Sequence, residues 1–113
     1  MKYMLMHYSN EANEADVPPT PEQIAAVSQL MGEVAQSGVL LAAEGVRASS
    51  YGARLTVDGE KVTVKDGPFA EAKELIAGFA ILDVKSKEEA IEHAKRFAAA
   101  VGATQIDIRL VAE

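Results

Sequence analysis

Two segments of the sequence are apolar at both odd and even positions, and this pattern constrains the fold more than any other feature. In residues 2–8, one parity carries Met4, Met6 and Tyr8 and the other carries Tyr3 and Leu5. Residues 77–84 are apolar on both parities in the same way. Because successive side chains of a strand point to opposite faces of its sheet, this pattern is typical of a sheet that is covered on both faces.

The first predicted helix begins after Thr20 and ends before Gly38. Thr20 suits the N-cap, Pro21 the first helical position and Gln23 the third, so a capping box is expected. Gly38 suits the position just after a helix, where the backbone often adopts the left-handed conformation. The stripe expected to be buried comprises Ile24, Val27, Leu30, Met31 and Val34.

The second predicted helix lies between Ser86 and Gly102. Ser86 suits the N-cap, and Glu89 is expected to complete a second capping box. Gly102 suits the residue that ends the helix. The stripe expected to be buried comprises Ile91, Ala94, Phe97, Ala98 and Val101.

The remaining segments predict four further strands, two of which form a hairpin. Residues 39–46 and 104–111 each have the composition of a strand. Residues 55–57 and 62–64 alternate as paired strands, and the Asp-Gly sequence at positions 58–59 favours a tight hairpin turn, since such turns need positive φ.

Two connecting segments also carry a local signal. Residues 9–19 are polar and acidic, and we expect a loop there that could act as a lid over a cleft. Residues 69–76 have the composition of a short helical turn.

Without the hairpin, the order of elements is the βαββαβ order of ferredoxin-like subunits. We therefore expect one α+β domain over residues 1–113, with an antiparallel sheet, an inserted β-hairpin and both helices on one sheet face. The other face would be bare and apolar, which soluble monomers rarely tolerate. A second copy that packs sheet against sheet, in a homodimer, would cover it.

The composition excludes several classes of protein. The 113 residues include no Cys, which excludes disulfides, thiolate catalysis and Cys-based metal sites. The formal net charge of −6 argues against a broad nucleic-acid-binding surface. No apolar run is long enough to span a membrane and residues 1–8 lack the features of a signal peptide, so we expect a cytoplasmic protein without a membrane partner.

Two residues are candidates for catalytic acid–base chemistry. His7 titrates near neutrality when unperturbed, so it is either a general base or a partly buried His bonded to a carbonyl or carboxylate. Asp66 opens the D-G-P-F sequence of residues 66–69, and Glu71 and Lys73 follow closely. Asp66 is either a turn residue or a cleft carboxylate whose pKa neighbouring carboxylates raise.

Other polar and aromatic residues are candidates for ligand binding. Arg109 shares the polar parity of the last strand with Asp107, and it either clamps an anion or forms an inter-subunit salt bridge. Tyr51, Phe69, Glu71 and Lys73 are further ligand-binding candidates, and Glu44 either lines the same cavity or is solvated. No residue spacing indicates a metal site, and no phosphate or dinucleotide motif indicates a cofactor.

Three stretches resemble the YCII-related family, in its DGPF-domain branch: M-K-Y-M-L-M-H-Y-S-N-E at the start, residues 38–45, and D-G-P-F-A-E-A-K-E-L-I-A-G-F-A-I-L-D-V at residues 66–84. The resemblance covers nearly the whole chain. It implies a ferredoxin-like subunit that pairs into a dimeric α/β barrel. A His–Asp pair is proposed as the active site of YCII proteins, and its Asp matches Asp66. His7 stands where DGPF relatives carry an apolar or aromatic residue.

Three functions are compatible with these residues and with the resemblance. The first is a homodimer that binds a small, anionic or cyclic metabolite near Asp66 without a cofactor. The second is a cofactor-independent isomerase or lyase in which Asp66 transfers protons, His7 assists and Arg109 holds an anionic group. The third follows from family members encoded with extracytoplasmic-function sigma factors, and is a regulatory module that binds such a factor.

Overall fold

The computed structural model describes residues 1–69 and 74–113. The strands are β1 (Lys2–Tyr8), β2 (Leu40–Gly45), β3 (Ala53–Asp58), β4 (Lys61–Asp66), β5 (Ile76–Asp83) and β6 (Ile106–Leu110). The helices are α1 (Glu11–Glu14), α2 (Pro21–Gln36) and α3 (Lys87–Val101), and a single 3₁₀ turn spans Ser49–Tyr51. The predicted strands and both long helices are therefore confirmed.

Four strands form the main sheet in the order β2-β5-β1-β6, with every neighbouring pair antiparallel. This is the strand order of a ferredoxin-like α+β subunit, as the sequence predicts. Helices α2 and α3 pack on each other and on one face of the sheet. Between them lies the core, which comprises Tyr3, Leu5, Leu30, Val34, Ala80, Leu82, Val84, Ala90, Ala94 and Phe97.

Helix capping follows the prediction at α2 and departs from it at α3. Thr20 and Gln23 form both hydrogen bonds of the capping box. At α3, the Ser86 hydroxyl accepts the Glu89 N–H at 3.2 Å. The Glu89 carboxylate, however, accepts the backbone N–H of Lys85 at 2.9 Å, so the predicted second capping box is wrong by one residue.

Residues 9–19 are more ordered than the loop expected from their composition. Asn10 caps the short helix α1 by accepting the Asn13 N–H at 2.8 Å. Polar side chains that compete for backbone hydrogen bonds favour such caps, so the composition of a loop also suits a short capped turn. Of the helical turn predicted over residues 69–76, residues 70–73 lie outside the described residues, and β5 begins at Ile76.

The face of the sheet opposite the helices is open in the single chain. Met4, Met6, Phe79 and Ile81 lie on this face, and register pairs Met4 with Ile81 and Met6 with Phe79. Their side chains are only partly buried. We call this surface the open sheet face. It is the bare apolar face that the two-sided strands predict.

Strands β3 and β4 form a separate two-stranded hairpin. Every residue of both strands is exposed. The radius of gyration is 15.6 Å, whereas a compact domain of this length has a radius of about 13 Å. The hairpin therefore extends from the core as an arm. No helix in the described parts of the chain is long and apolar enough to cross a bilayer.

Candidate functional site

Two cavities meet at His7, at the end of the main sheet. The smaller one has a volume of about 220 Å³ and lies between the sheet and the two long helices. Its lining is mostly apolar and includes Leu5, Val27, Met31, Ala80, Phe97 and Ile106, with His7 as a polar side chain on the helix-facing parity. Glu44 and Phe79 also line it at the sheet, although they pair in register on the parity of the open sheet face. An apolar pocket with few polar groups is the usual form of a small-molecule site.

The larger cavity is an open cleft of about 810 Å³ between the residues before α2 and the end of the sheet. Val17, Ile24 and Val46 line this cleft, and they are 58%, 54% and 48% exposed. Ile24 is thus a correction to the predicted buried stripe of the first helix. Ile24 lies in the first turn of α2, where its side chain faces the cleft and not the sheet. Arg47 and Asp16 add charged groups to the lining.

His7 belongs to both cavities because of its strand parity and a neighbouring glycine. It shares the helix-facing parity with Tyr3 and Leu5, and it pairs with Gly78 on β5. A Cβ added at Gly78 would lie 2.5 Å from His7 Nε2, so the imidazole crosses the space that a side chain would fill. Burial lowers the pKa of His7, which favours the neutral imidazole at neutral pH.

Arg47, Tyr51 and Asp16 form a compact polar cluster at the cleft. The Tyr51 hydroxyl donates to Asp16 Oδ2 at 2.7 Å and accepts from Arg47 Nη2 at 2.8 Å. The Arg47 guanidinium lies 4.0 Å from the centre of the Tyr51 ring and forms an ion pair with Asp16 at 3.1 Å. The Tyr51 hydrogen bond and the Arg47 charge lower the pKa of the Asp16 carboxyl. The cluster ties the end of α1 to the segment after β2.

The D-G-P-F turn packs on the same 3₁₀ turn through a second group of bonds. The Glu14 carboxylate accepts both the N–H and the hydroxyl of Ser49, at 2.8 Å and 2.5 Å. Ser49 Oγ in turn accepts the Phe69 N–H at 2.9 Å. A Cβ added at Gly67 would lie 1.8 Å from the Ser49 carbonyl oxygen. This backbone contact gives the glycine of the motif a structural role.

A third polar group lies on the open sheet face. The Tyr8 hydroxyl donates to Asp107 Oδ2 at 2.5 Å. This hydrogen bond is the main reason that the pKa of Tyr8 is raised, with burial and the Asp107 charge adding to it. Arg109 is on the same parity of β6 and pairs in register with Met4.

The predicted site residues fall into separate groups. His7 and Glu44 both line the smaller cavity, and Tyr51 holds Arg47 and Asp16 at the larger one. Arg109 is on the open sheet face. Asp66 ends β4 and is exposed, whereas Phe69 lies beneath the Arg54 guanidinium at 4.4 Å.

Neither of these two cavities is lined by Asp66, so the structure does not bring it together with His7 in them. Glu71 and Lys73 lie outside the described residues. The catalytic roles of Asp66 and His7 stay predictions.

Arg47 and Asp16 are the residues of the cleft that sequence reasoning missed. Asp16 belongs to an acidic segment that has the composition of a solvated loop, and its φ of 59° is visible only in the structure. Arg47 directly follows a strand and precedes Tyr51 by four residues, but this spacing predicts no contact outside a helix. The contact depends on the 3₁₀ turn.

Among residues 1–69 and 74–113, no group of three or more His, Asp and Glu side chains is placed to hold a metal ion. The polar groups at the cavities are instead suited to hydrogen bonding and to charge–charge contact with an organic ligand.

A known protein family matches most of the chain. The YCII-related domain matches residues 1–108, which is nearly the whole chain. None of the curated proteins compared with the sequence matches it significantly. Because the match covers far more than half of the chain, the chain belongs to the YCII-related family.

Proposed function

We propose that the protein is a homodimer that binds a small metabolite in the two cavities around His7. The observation that carries this proposal is the junction of an apolar pocket with a cleft that contains Arg47. The ligand would have a ring or another compact apolar part and an anionic group. Its apolar part would enter the smaller cavity, past His7, and its anionic group would stay near Arg47.

The volumes and the charges support this ligand class. An apolar cavity of about 150 Å³ is known to accept benzene, so a cavity of about 220 Å³ suits a single ring with small substituents. Arg47 contacts Asp16 and Tyr51 through Nη2 alone, and its side chain is 67% exposed. The other guanidinium N–H groups are therefore positioned to donate to a carboxylate.

Thermal-shift assays with small aromatic and alicyclic carboxylates test this proposal. A compound present at about 100 times its Kd stabilises the folded state by about 2.7 kcal/mol, which is several degrees for a domain of this size. We expect Arg47→Ala to lose the shift and Arg54→Ala to keep it. The two residues are matched, because each guanidinium lies over an aromatic ring and only Arg47 lines the cleft. An equal shift in both variants would contradict the proposal.

A cofactor-independent isomerase or lyase is the second candidate, and the position of His7 favours it. A neutral imidazole at the junction of two cavities is suited to accept a proton from a bound carbon acid. If a binding compound is also turned over, we expect His7→Gln to lose turnover and Asp66→Asn to keep it. The opposite result would assign the proton transfer to Asp66, as the sequence alone suggested.

The homodimer is proposed from the open sheet face. A second copy would remove Met4, Met6, Phe79 and Ile81 from water, and light scattering at micromolar concentration would then give twice the monomer mass. A monomeric mass would contradict it. If no compound binds to well-folded protein, the small-molecule proposal fails, and capture experiments with a sigma factor would test the regulatory alternative.

A further inference from the structure

The hairpin arm carries an apolar face that is exposed among residues 1–69 and 74–113. Register pairs Leu55 with Val64 and Val57 with Val62. Paired residues and alternate residues share a face, so all four side chains lie on the same side of the hairpin. They are between 58% and 64% exposed. The other side carries Arg54, Thr56, Asp58, Lys61, Thr63 and Lys65.

A hairpin of this kind is not expected to be stable by itself. An isolated two-stranded hairpin is marginal in water, and it becomes stable when its apolar face packs on another layer. The largest contacts of β3 and β4 are with each other, and the main sheet and helices of the same chain leave both strands fully exposed. We therefore expect the layer that stabilises the arm to lie outside the described residues of its own subunit.

We propose that the arm packs its apolar face on the open sheet face of a second copy, so that two protomers exchange arms around a two-fold axis. We refer to Leu55, Val57, Val62 and Val64 as the arm face. This inference rests on the homodimer proposed above and is independent of ligand binding.

The areas favour this arrangement. The four side chains of the arm face expose roughly 400 Å², as much as the largest apolar patch of a typical monomer, but only about half of the 800 Å² that each partner contributes to a standard interface. The partly buried side chains of the open sheet face expose less than the arm face does. Neither surface alone supplies the area of a standard interface. When the arm face of each protomer packs on the open sheet face of the other, each protomer contributes both surfaces to the interface.

The side chains of the two surfaces also suit each other. The arm face has three β-branched Val residues, which form a stiff apolar surface. The open sheet face contributes Met4 and Met6, whose flexible thioethers adapt to irregular neighbours, beside Phe79 and Ile81. A contact between these surfaces places aliphatic groups of one copy on aromatic and thioether groups of the other.

A matched pair of variants tests which side of the arm is used. Val64 and Thr63 are adjacent in β4, both are exposed, and they point to opposite sides. We expect Val64→Asp to weaken dimerisation at least tenfold in sedimentation equilibrium, and Thr63→Asp to leave it within threefold of the original. An unchanged dimer in Val64→Asp would overturn the arm contact, as would equal weakening in both variants.

Cross-linking then identifies the surface that the arm meets. The chain has no native Cys, so engineered thiols are the sole reactive ones. Val64→Cys and Ile81→Cys chains are coexpressed with different tags, purified as mixed dimers and treated with a short bis-maleimide. We expect cross-linked heterodimers. Cross-linking within separately purified Val64→Cys homodimers, and none in the mixed dimers, would overturn the proposal in favour of arm-to-arm packing.

These outcomes are distinguishable from those of the ligand experiments. Val64→Asp changes a residue that lines neither cavity around His7, and its readout is mass rather than a thermal shift caused by a compound. A dimer that resists Val64→Asp would leave the proposed homodimer intact and reject the arm exchange alone. A monomeric wild-type protein would reject both.

Discussion

Two glycines of this chain are explained by close approach rather than by unusual backbone angles. At Gly67 the space for a Cβ is occupied by the Ser49 carbonyl, and at Gly78 it is occupied by the His7 imidazole. The first neighbour is backbone and cannot move without shifting the 3₁₀ turn. The second is the end of a side chain. The two positions therefore differ in what a methyl group would disturb.

Substitution at Gly67 should destabilise the fold. We expect Gly67→Ala to lower the free energy of unfolding by about 2 kcal/mol or more, since overpacking against backbone costs 1–3 kcal/mol or above. Chemical denaturation measures this change. Gly32→Ala is the control, because a Cβ there meets no atom within 4 Å and alanine favours a helix. A Gly67→Ala protein as stable as wild type would show that the packing around Ser49 is not required.

The pKa of His7 should make stability depend on pH. Its pKa in the folded protein is lowered by burial, so the unfolded chain binds a proton more readily. Stability from this group is complete above the ordinary His pKa of about 6.5 and is lost as pH falls below it toward the lower folded value. We expect the decrease in Tm between about pH 7.5 and about pH 5.5 to be smaller in His7→Gln than in wild type. His93→Gln, which leaves His7 in place, should retain the wild-type decrease.

At the scale of elements, the helices depend on caps that are local in sequence. Thr20 and Ser86 each accept an N–H from the residue three positions later, and both caps precede an amphipathic stripe. Gly102 ends α3 with a φ of 71°, and Gly38 follows α2 with a φ of 77°. The bounds of both helices could therefore be predicted closely from sequence.

Loss of a cap should have a measurable cost. We expect Ser86→Ala to lower the free energy of unfolding by about 1 kcal/mol, since the Glu89 N–H loses its acceptor. Ser28→Ala, at an exposed position within α2, should leave stability unchanged or slightly raised, because alanine is the better helix former. Equal effects from the two substitutions in denaturant titrations would contradict a capping role for Ser86.

At the scale of the whole molecule, one hydrophobic core coexists with two apolar surfaces that it does not bury. The core lies between the sheet and the two long helices. The open sheet face and the arm face lie outside it. This division predicts that the arm contributes to association rather than to the stability of the subunit.

Removal of the arm tests that division. We expect a chain in which residues 55–64 are replaced by a two-residue Asn-Gly turn to fold with an unchanged near-UV circular dichroism spectrum and to be monomeric by light scattering. The reason is that β3 and β4 are fully exposed and supply no residue of the core. Loss of the folded spectrum would show that the arm stabilises its own subunit.

The sequence by itself determined the strands, the two long helices, their order and the two-sided character of the sheet, because caps, alternation and hairpin turns are encoded by residues close to one another. It also placed His7 correctly on the parity of Tyr3 and Leu5, since period two is kept along a regular strand. It erred where a side chain had a choice of nearby partners, as Glu89 did at the start of α3.

Only the tertiary structure decided which polar groups meet. Asp16 and Tyr51 are 35 residues apart, and their contact depends on a positive φ at Asp16 and on a 3₁₀ turn at residues 49–51. It also decided that Ile24 lines a cleft and that the hairpin stands away from the core. Local patterns indicate which face of an element is apolar, but what covers that face depends on how distant segments pack, and this is settled by the chain as a whole.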